Sequence, residues 1–132
     1  VPDIILPEAS RRLLEEVQGL HATALVTDGP YLMQKIKFDV LGVSSYIRFP
    51  VFTDRHGTRK PEHKAFTMVM EHFEKEREFV YVADNPAKDF LAPRALGWKT
   101  IRYRNPRGIY RETPSDAHHE TDSLAGVMPL LG

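Results

Sequence analysis

The stretch Phe79-Val80-Tyr81-Val82-Ala83-Asp84-Asn85-Pro86-Ala87-Lys88-Asp89 constrains this chain more than any other. Five apolar or aromatic residues run unbroken into an aspartate. Without polar alternation, such a run reads as a strand covered on both faces, as in a parallel sheet. Asp84 then stands at the strand's carboxyl end, where open α/β sheets hold their ligands. Pro86 suits the first turn of a following helix, because its missing N–H would have no partner there. A helix is therefore expected from about Pro86 to Leu96, with Gly97 ending it and Pro93 kinking it or stopping it early. Asp89 would return toward Asp84 from that helix's first turn, and two carboxylates so placed make a hard, oxygen-rich site suited to Mg²⁺. An Asp after a strand also serves as a helix N-cap, so the case for chemistry depends on what other strand ends carry.

Composition bounds the function classes. The chain has 132 residues, enough for one domain with a modest core, and is read as a single domain over residues 1–132. Lys plus Arg and Asp plus Glu both number 18, so net charge gives no argument for nucleic acid or an anionic membrane as partner. There is no cysteine, which removes disulfides, thiolate metal sites and a Cys nucleophile. No apolar run approaches the roughly 18 residues needed to span a bilayer, and no signal peptide is visible, so a cytoplasmic setting is the default expectation. The chain begins with Val rather than Met, which suggests a fragment or a processed piece.

Two further strand ends or loops carry candidate chemistry. Ala22-Thr23-Ala24-Leu25-Val26 is a short buried strand ending in Thr27-Asp28-Gly29-Pro30. A small hydroxyl and a glycine turn beside free backbone N–H groups make an anion site; alternatively, Thr27 or Asp28 only caps the next helix. That helix runs from about Leu32 to Leu41, with Ile36, Val40 and Leu41 expected to face the core. Pro50 within Ser44–Thr53 argues for an edge strand or an irregular one. Lys60-Pro61-Glu62 comes next, with Pro61 expected in the first turn of a helix carrying Ala65, Phe66, Val69, Met70 and Phe73 inward. Lys60 then lies just before that helix, its ammonium able to reach a phosphate or simply solvated. Trp98 to Tyr103 is another strand, Thr113 to Thr121 is polar and read as irregular, and Ser123 to Leu131 is a weakly apolar last helix.

Helices alternating with four strands imply a three-layer α/β domain with a parallel, Rossmann-like sheet. The ordered set of Thr-Asp-Gly, Lys-Pro and Asp-Asn-x-x-x-Asp resembles the haloacid dehalogenase-like hydrolase superfamily. Val26-Thr27-Asp28-Gly29 looks like its second motif, Arg59-Lys60-Pro61-Glu62 like its third, and Val82 to Asp89 like its fourth, with Ala83 where a Gly is more usual. The resemblance covers about Ile5 to Tyr103. It implies a Mg²⁺-dependent phosphatase acting on a small phosphorylated metabolite through an aspartyl phosphate. By the same resemblance, Thr27 would hydrogen-bond the transferred phosphoryl group, helped by the Asp28 N–H and the Gly29 turn. Lys60 would neutralise charge, Asp84 would ligate Mg²⁺ with Asn85 assisting, and Asp89 would support the metal waters or pair with Lys60. Positioned positive charge on the equatorial oxygens is what phosphoryl transfer most needs.

One departure matters. The family's first motif is an apolar strand ending Asp-x-Asp, whose first Asp is the nucleophile. The aspartates here are at 3, 28, 39, 54, 84, 89, 116 and 122, and no two have that spacing. In the family the missing strand lies between those ending at Thr27 and Asp84, so this sheet is expected to be incomplete and no cap domain is visible. A second piece of a longer protein could supply the strand, the two flanking strands could pair directly, or a second copy could fill the gap. The alternative function is a catalytically silent binding or assembly module.

Overall fold

The computed structural model describes residues 6–86 and 89–131. Ala87 and Lys88 of the Asp84–Asp89 stretch, and Asp3, lie outside the described residues. Helices and strands alternate as α1 (Glu8–Leu20), β1 (Ala24–Thr27), α2 (Tyr31–Val40), β2 (Phe49–Phe52), α3 (Lys64–His72), β3 (Val80–Ala83), α4 (Leu91–Ala95), β4 (Lys99–Tyr103), β5 (His119–Thr121) and α5 (Val127–Leu131).

All strand pairs are parallel, and they form two sheets rather than one. β1 pairs with β2, Ala24 opposite Phe49 through Thr27 opposite Phe52. β3 pairs with β4, Val80 opposite Lys99 through Ala83 opposite Arg102, and β4 pairs with β5, Ile101 opposite His119. Among the described residues β1 does not pair with β3, so each keeps one edge without a strand neighbour. Direct pairing of these two strands, one of the ways of closing the sheet, is not what the fold adopts.

Helix α3 joins the two sheets. Its Ala65, Phe66 and Val69 are buried in one cluster with Val26 of β1, Val51 of β2, Ala92 of α4 and Trp98 before β4. The fully buried Phe66 meets Tyr81 of β3 edge-on at 5.0 Å and Trp98 at 5.4 Å. Aromatic edge-to-face pairs add to the burial of apolar area, so this one side chain is a principal link between the halves. β2 has a single strand neighbour, which accommodates Pro50 as an edge-strand residue.

Several expectations are corrected. A fifth strand, β5, lies in the polar stretch read as irregular; its exposed His119 and Glu120 carry no apolar pattern, and pairing to β4 makes it a strand. Helix α3 starts at Lys64, not Pro61. The turn before it is closed instead by Glu62, whose Oε1 accepts from the Thr58 hydroxyl at 2.8 Å and the Arg59 N–H at 2.9 Å. Helix α4 begins at Leu91, well after Pro86. Pro93 does not break it, since it occupies the first turn, where its missing N–H has no partner to lose. In α2 the buried residue is Phe38, which packs edge-on against Phe52 at 5.5 Å. Ile36 and Val40, expected in the core, are 57% and 51% exposed.

Candidate active site

The carboxyl ends of β1, β2 and β3 deliver the residues singled out from the sequence. β1 ends at Thr27, and Asp28 and Gly29 turn the chain toward α2. Gly29 has φ 104°, a left-handed conformation, and a Cβ there would meet Gln34 Nε2 at 2.8 Å. The left-handed φ favours glycine, while the Gln34 amide at the end of its flexible side chain could move aside. The Asp28 side chain does not cap α2; the N–H of Tyr31 donates instead to Asp54 Oδ2 at 2.9 Å. Asp28 Oδ1 accepts from the Thr53 hydroxyl at 2.8 Å and from the Lys60 N–H at 3.2 Å, with Oδ2 at 3.3 Å from the same N–H. Thr53 follows β2 directly, is 1% exposed, and also lies 3.2 Å from the Thr27 carbonyl. The turn after β1 and the loop before α3 are therefore tied together by one carboxylate.

From that loop the Lys60 side chain runs inward. Its Nζ donates to Asp89 Oδ1 at 2.8 Å and to Tyr81 Oη at 3.2 Å. The pair is largely withdrawn from water, with the Lys60 side chain 11% and the Asp89 side chain 4% exposed. A buried carboxylate needs every lone pair satisfied, and Asp89 Oδ2 accepts from the Asn85 N–H at 2.9 Å. The Asp89 N–H in turn donates to the Asn85 carbonyl at 3.1 Å. Asp89 thus returns toward the end of β3 as expected, but through this turn rather than from a helix. Asp84 is exposed, and among the described residues no hydrogen bond or ion pair engages its carboxylate. Tyr81 carries a phenol held well above its ordinary pKa by burial, then by the negative charges of Asp89, Asp28 and Asp84. Among the described residues the Thr27 hydroxyl has long contacts, 3.3 Å to Gln34 Oε1 and 3.4 Å to the Asp28 carbonyl.

Thr27, Asp28, Lys60, Asn85 and Asp89 are therefore linked through Thr53 by consecutive hydrogen bonds, with Asp84 adjacent in the chain. The residues that sequence reasoning missed are Thr53, Tyr81 and Gln34. Thr53 had a signal, since it too ends a strand. Tyr81 was visible as the one polar tip inside the apolar run. Gln34 had none, because a polar residue on a helix is ordinarily solvated.

Residues 1–97 match the family model described as haloacid dehalogenase-like hydrolase. The chain belongs to that family. Among solved structures, this family member is similar to YfnB from Bacillus subtilis, a structure bound to magnesium, with TM-score 0.81 and 16% identity, covering 96% of this chain and 56% of that one. It is similar also to a HAD phosphatase from Thermococcus onnurineus (TM-score 0.80, 23% identity, 96% and 58% covered). A third is a 2-haloacid dehalogenase from Pseudomonas syringae pv. Tomato (TM-score 0.76, 19% identity, 94% and 52%). At these identities the likeness is one of fold. The hydrolase-family chain spans between half and two thirds of the length of these structures. Comparison with curated proteins finds no match.

Proposed function

We propose that this chain is the phosphate-gripping part of a phosphomonoester hydrolase acting on a small phosphorylated metabolite. The observation that carries the reading is the Lys60 ammonium, held at 2.8 Å by a buried Asp89, on a loop whose Lys60 N–H is bonded to Asp28 next to Thr27. Lysine held at such a point offers a fixed positive charge to phosphoryl oxygens. The Thr27 hydroxyl, weakly engaged among the described residues, and the backbone of the Asp28–Gly29 turn supply hydrogen-bond donors to the same group.

Magnesium fits this rim in part. Among the described residues no group of three or more acids and histidines is placed to enclose a metal ion. Mg²⁺, however, is commonly held by one or two carboxylates, water and the substrate's own phosphate. Asp84 is exposed and has the oxygen chemistry for it, with Asn85 next to it. Both Asp89 oxygens are already engaged, so Asp89 acts through Lys60 and the Asn85 N–H. Bound Mg²⁺ would offset the negative charge of the phosphate against Asp84. No nucleophilic Asp-x-Asp is present in the sequence, so the aspartate that attacks phosphorus comes from outside these residues, on an upstream piece that also completes the sheet.

The test is hydrolysis of p-nitrophenyl phosphate with Mg²⁺. The 132-residue chain is expected to be inactive. A longer chain carrying the encoded upstream sequence is expected to be active, and Asp84→Asn in it to abolish turnover. Equal turnover by both chains that survives Asp84→Asn overturns the proposal. The missing Asp-x-Asp also favours a second reading, a silent binding or assembly module. That reading fails if the gene continues upstream into an apolar strand ending Asp-x-Asp.

A further inference from the structure

We infer that Tyr81 is a positioning residue for Lys60: with Asp89 it fixes the direction in which the ammonium presents its remaining N–H. This rests on Lys60 being the phosphate ligand proposed above, and adds a residue to which no role had been given.

An ammonium has three N–H donors. Asp89 Oδ1 takes one at 2.8 Å and Tyr81 Oη a second at 3.2 Å. Among the described residues no third partner is found. With Asp89 alone the group would spin about the Nζ–Oδ1 line, and the free N–H would sweep a cone. A second acceptor stops the rotation and leaves one direction for the third donor.

Tyr81 is suited to be that acceptor because its ring cannot follow the lysine. It projects from β3 and is clamped edge-on by Phe66 at 5.0 Å and by Phe90 at 6.4 Å. The lysine stem has four flexible carbons, so the rigid phenol sets the position. Burial and the neighbouring carboxylates keep the phenol protonated, so it stays a neutral acceptor toward Lys60. A phenylalanine would make the same ring contacts, so the hydroxyl is explained by its contact with Lys60 and not by core packing.

The experiment uses the full chain with Tyr81→Phe, with lysine labelled at Cε and Nζ for NMR and the Lys60 signals assigned by Lys60→Arg. Inorganic phosphate is titrated with Mg²⁺ present, and Trp98 emission monitors the fold. In the wild-type protein the two Cε protons of Lys60 are expected to be inequivalent, and in Tyr81→Phe to merge. Phosphate affinity is expected to fall about three- to tenfold, the size of one lost hydrogen bond. Unchanged Lys60 signals overturn the inference, and so does unchanged affinity in a variant whose wild-type parent binds phosphate. Failure of the wild-type chain to bind phosphate overturns the proposed function instead, and the Lys60 signals still decide the role of Tyr81. Should Tyr81→Phe not fold, 3-fluorotyrosine at position 81 keeps the ring and weakens the acceptor. A shift in the Lys60 signals then supports the inference, and none overturns it.

Discussion

At the scale of single residues, the site is an arrangement of charge kept out of water. Lys60 and Asp89 are each nearly enclosed, and a buried ion pair is worth little against an apolar substitute while the loss of one partner is costly. Asp89→Asn leaves an uncompensated ammonium beside a phenol and replaces one of the two acceptor oxygens by an NH₂, so either Lys60 or the Asn85 N–H faces a donor. It is expected to cost on the order of 3 kcal/mol of stability, measured by urea unfolding. Adding Lys60→Met to Asp89→Asn is expected to return part of that loss, since no charge then remains buried. A double mutant no more stable than Asp89→Asn would show that the pair is not coupled.

At the scale of elements, the junction of β4 and β5 is held by side chains rather than by an apolar face. The Thr100 N–H donates to His118 Nδ1 at 3.0 Å, and the His118 N–H donates to Thr100 Oγ1, also at 3.0 Å. Nδ1 must be unprotonated to accept. Withdrawal from water, and then the positive charges of Arg94, His119 and Lys99, hold the His118 pKa below its ordinary 6.5. A histidine with a depressed folded pKa contributes stability that is complete above the unfolded value and is lost as pH falls through the folded one. Hydrogen exchange at the Thr100 amide is therefore expected to quicken relative to the Val82 amide as pH drops below 6.5, after correction for intrinsic rates. A pH-independent ratio would remove His118 from the account of β5. The connection before β5 is pinned from beneath by Arg102, fully buried, whose guanidinium donates to the Tyr110 and Thr113 carbonyls.

At the scale of the whole molecule, two small parallel sheets share one core through α3. Each sheet alone is thin, and Phe66 contacts side chains belonging to the second sheet's half while it sits with Val26 and Val51 of the first. Phe66→Ala is expected to destabilise by about 3–5 kcal/mol, the cost of a large buried aromatic and the cavity it leaves. Because the halves are joined there, the unfolding transition is also expected to broaden, with a lower urea m-value. A loss under about 1 kcal/mol with unchanged m would place the bridge elsewhere. The same separation bears on function. The chain belongs to a hydrolase family; among the described residues β1 and β3 each keep one edge without a strand neighbour, and no Asp-x-Asp occurs in the sequence.

What the sequence by itself determined is what local chemistry controls. The unbroken apolar run Phe79–Ala83 made a parallel strand, Gly29 and Gly97 took the left-handed turns after β1 and α4, and the order of Thr27, Lys60 and Asp84–Asp89 was enough to mark the family. Elements whose cue was tertiary were not legible. β5 has no pattern of its own and exists because β4 offers an edge; α2 buries Phe38 instead of Ile36 and Val40 because β2 lies on that side. Only the folded chain decided that Asp28 binds Thr53 and the Lys60 backbone, and that Lys60 meets Asp89 and Tyr81. Those contacts join residues 21 to 32 positions apart. Hydrophobic periodicity specifies which face of an element is buried, but not which partner it meets; that depends on how α3 closes over both sheets, a free-energy balance summed over the entire core.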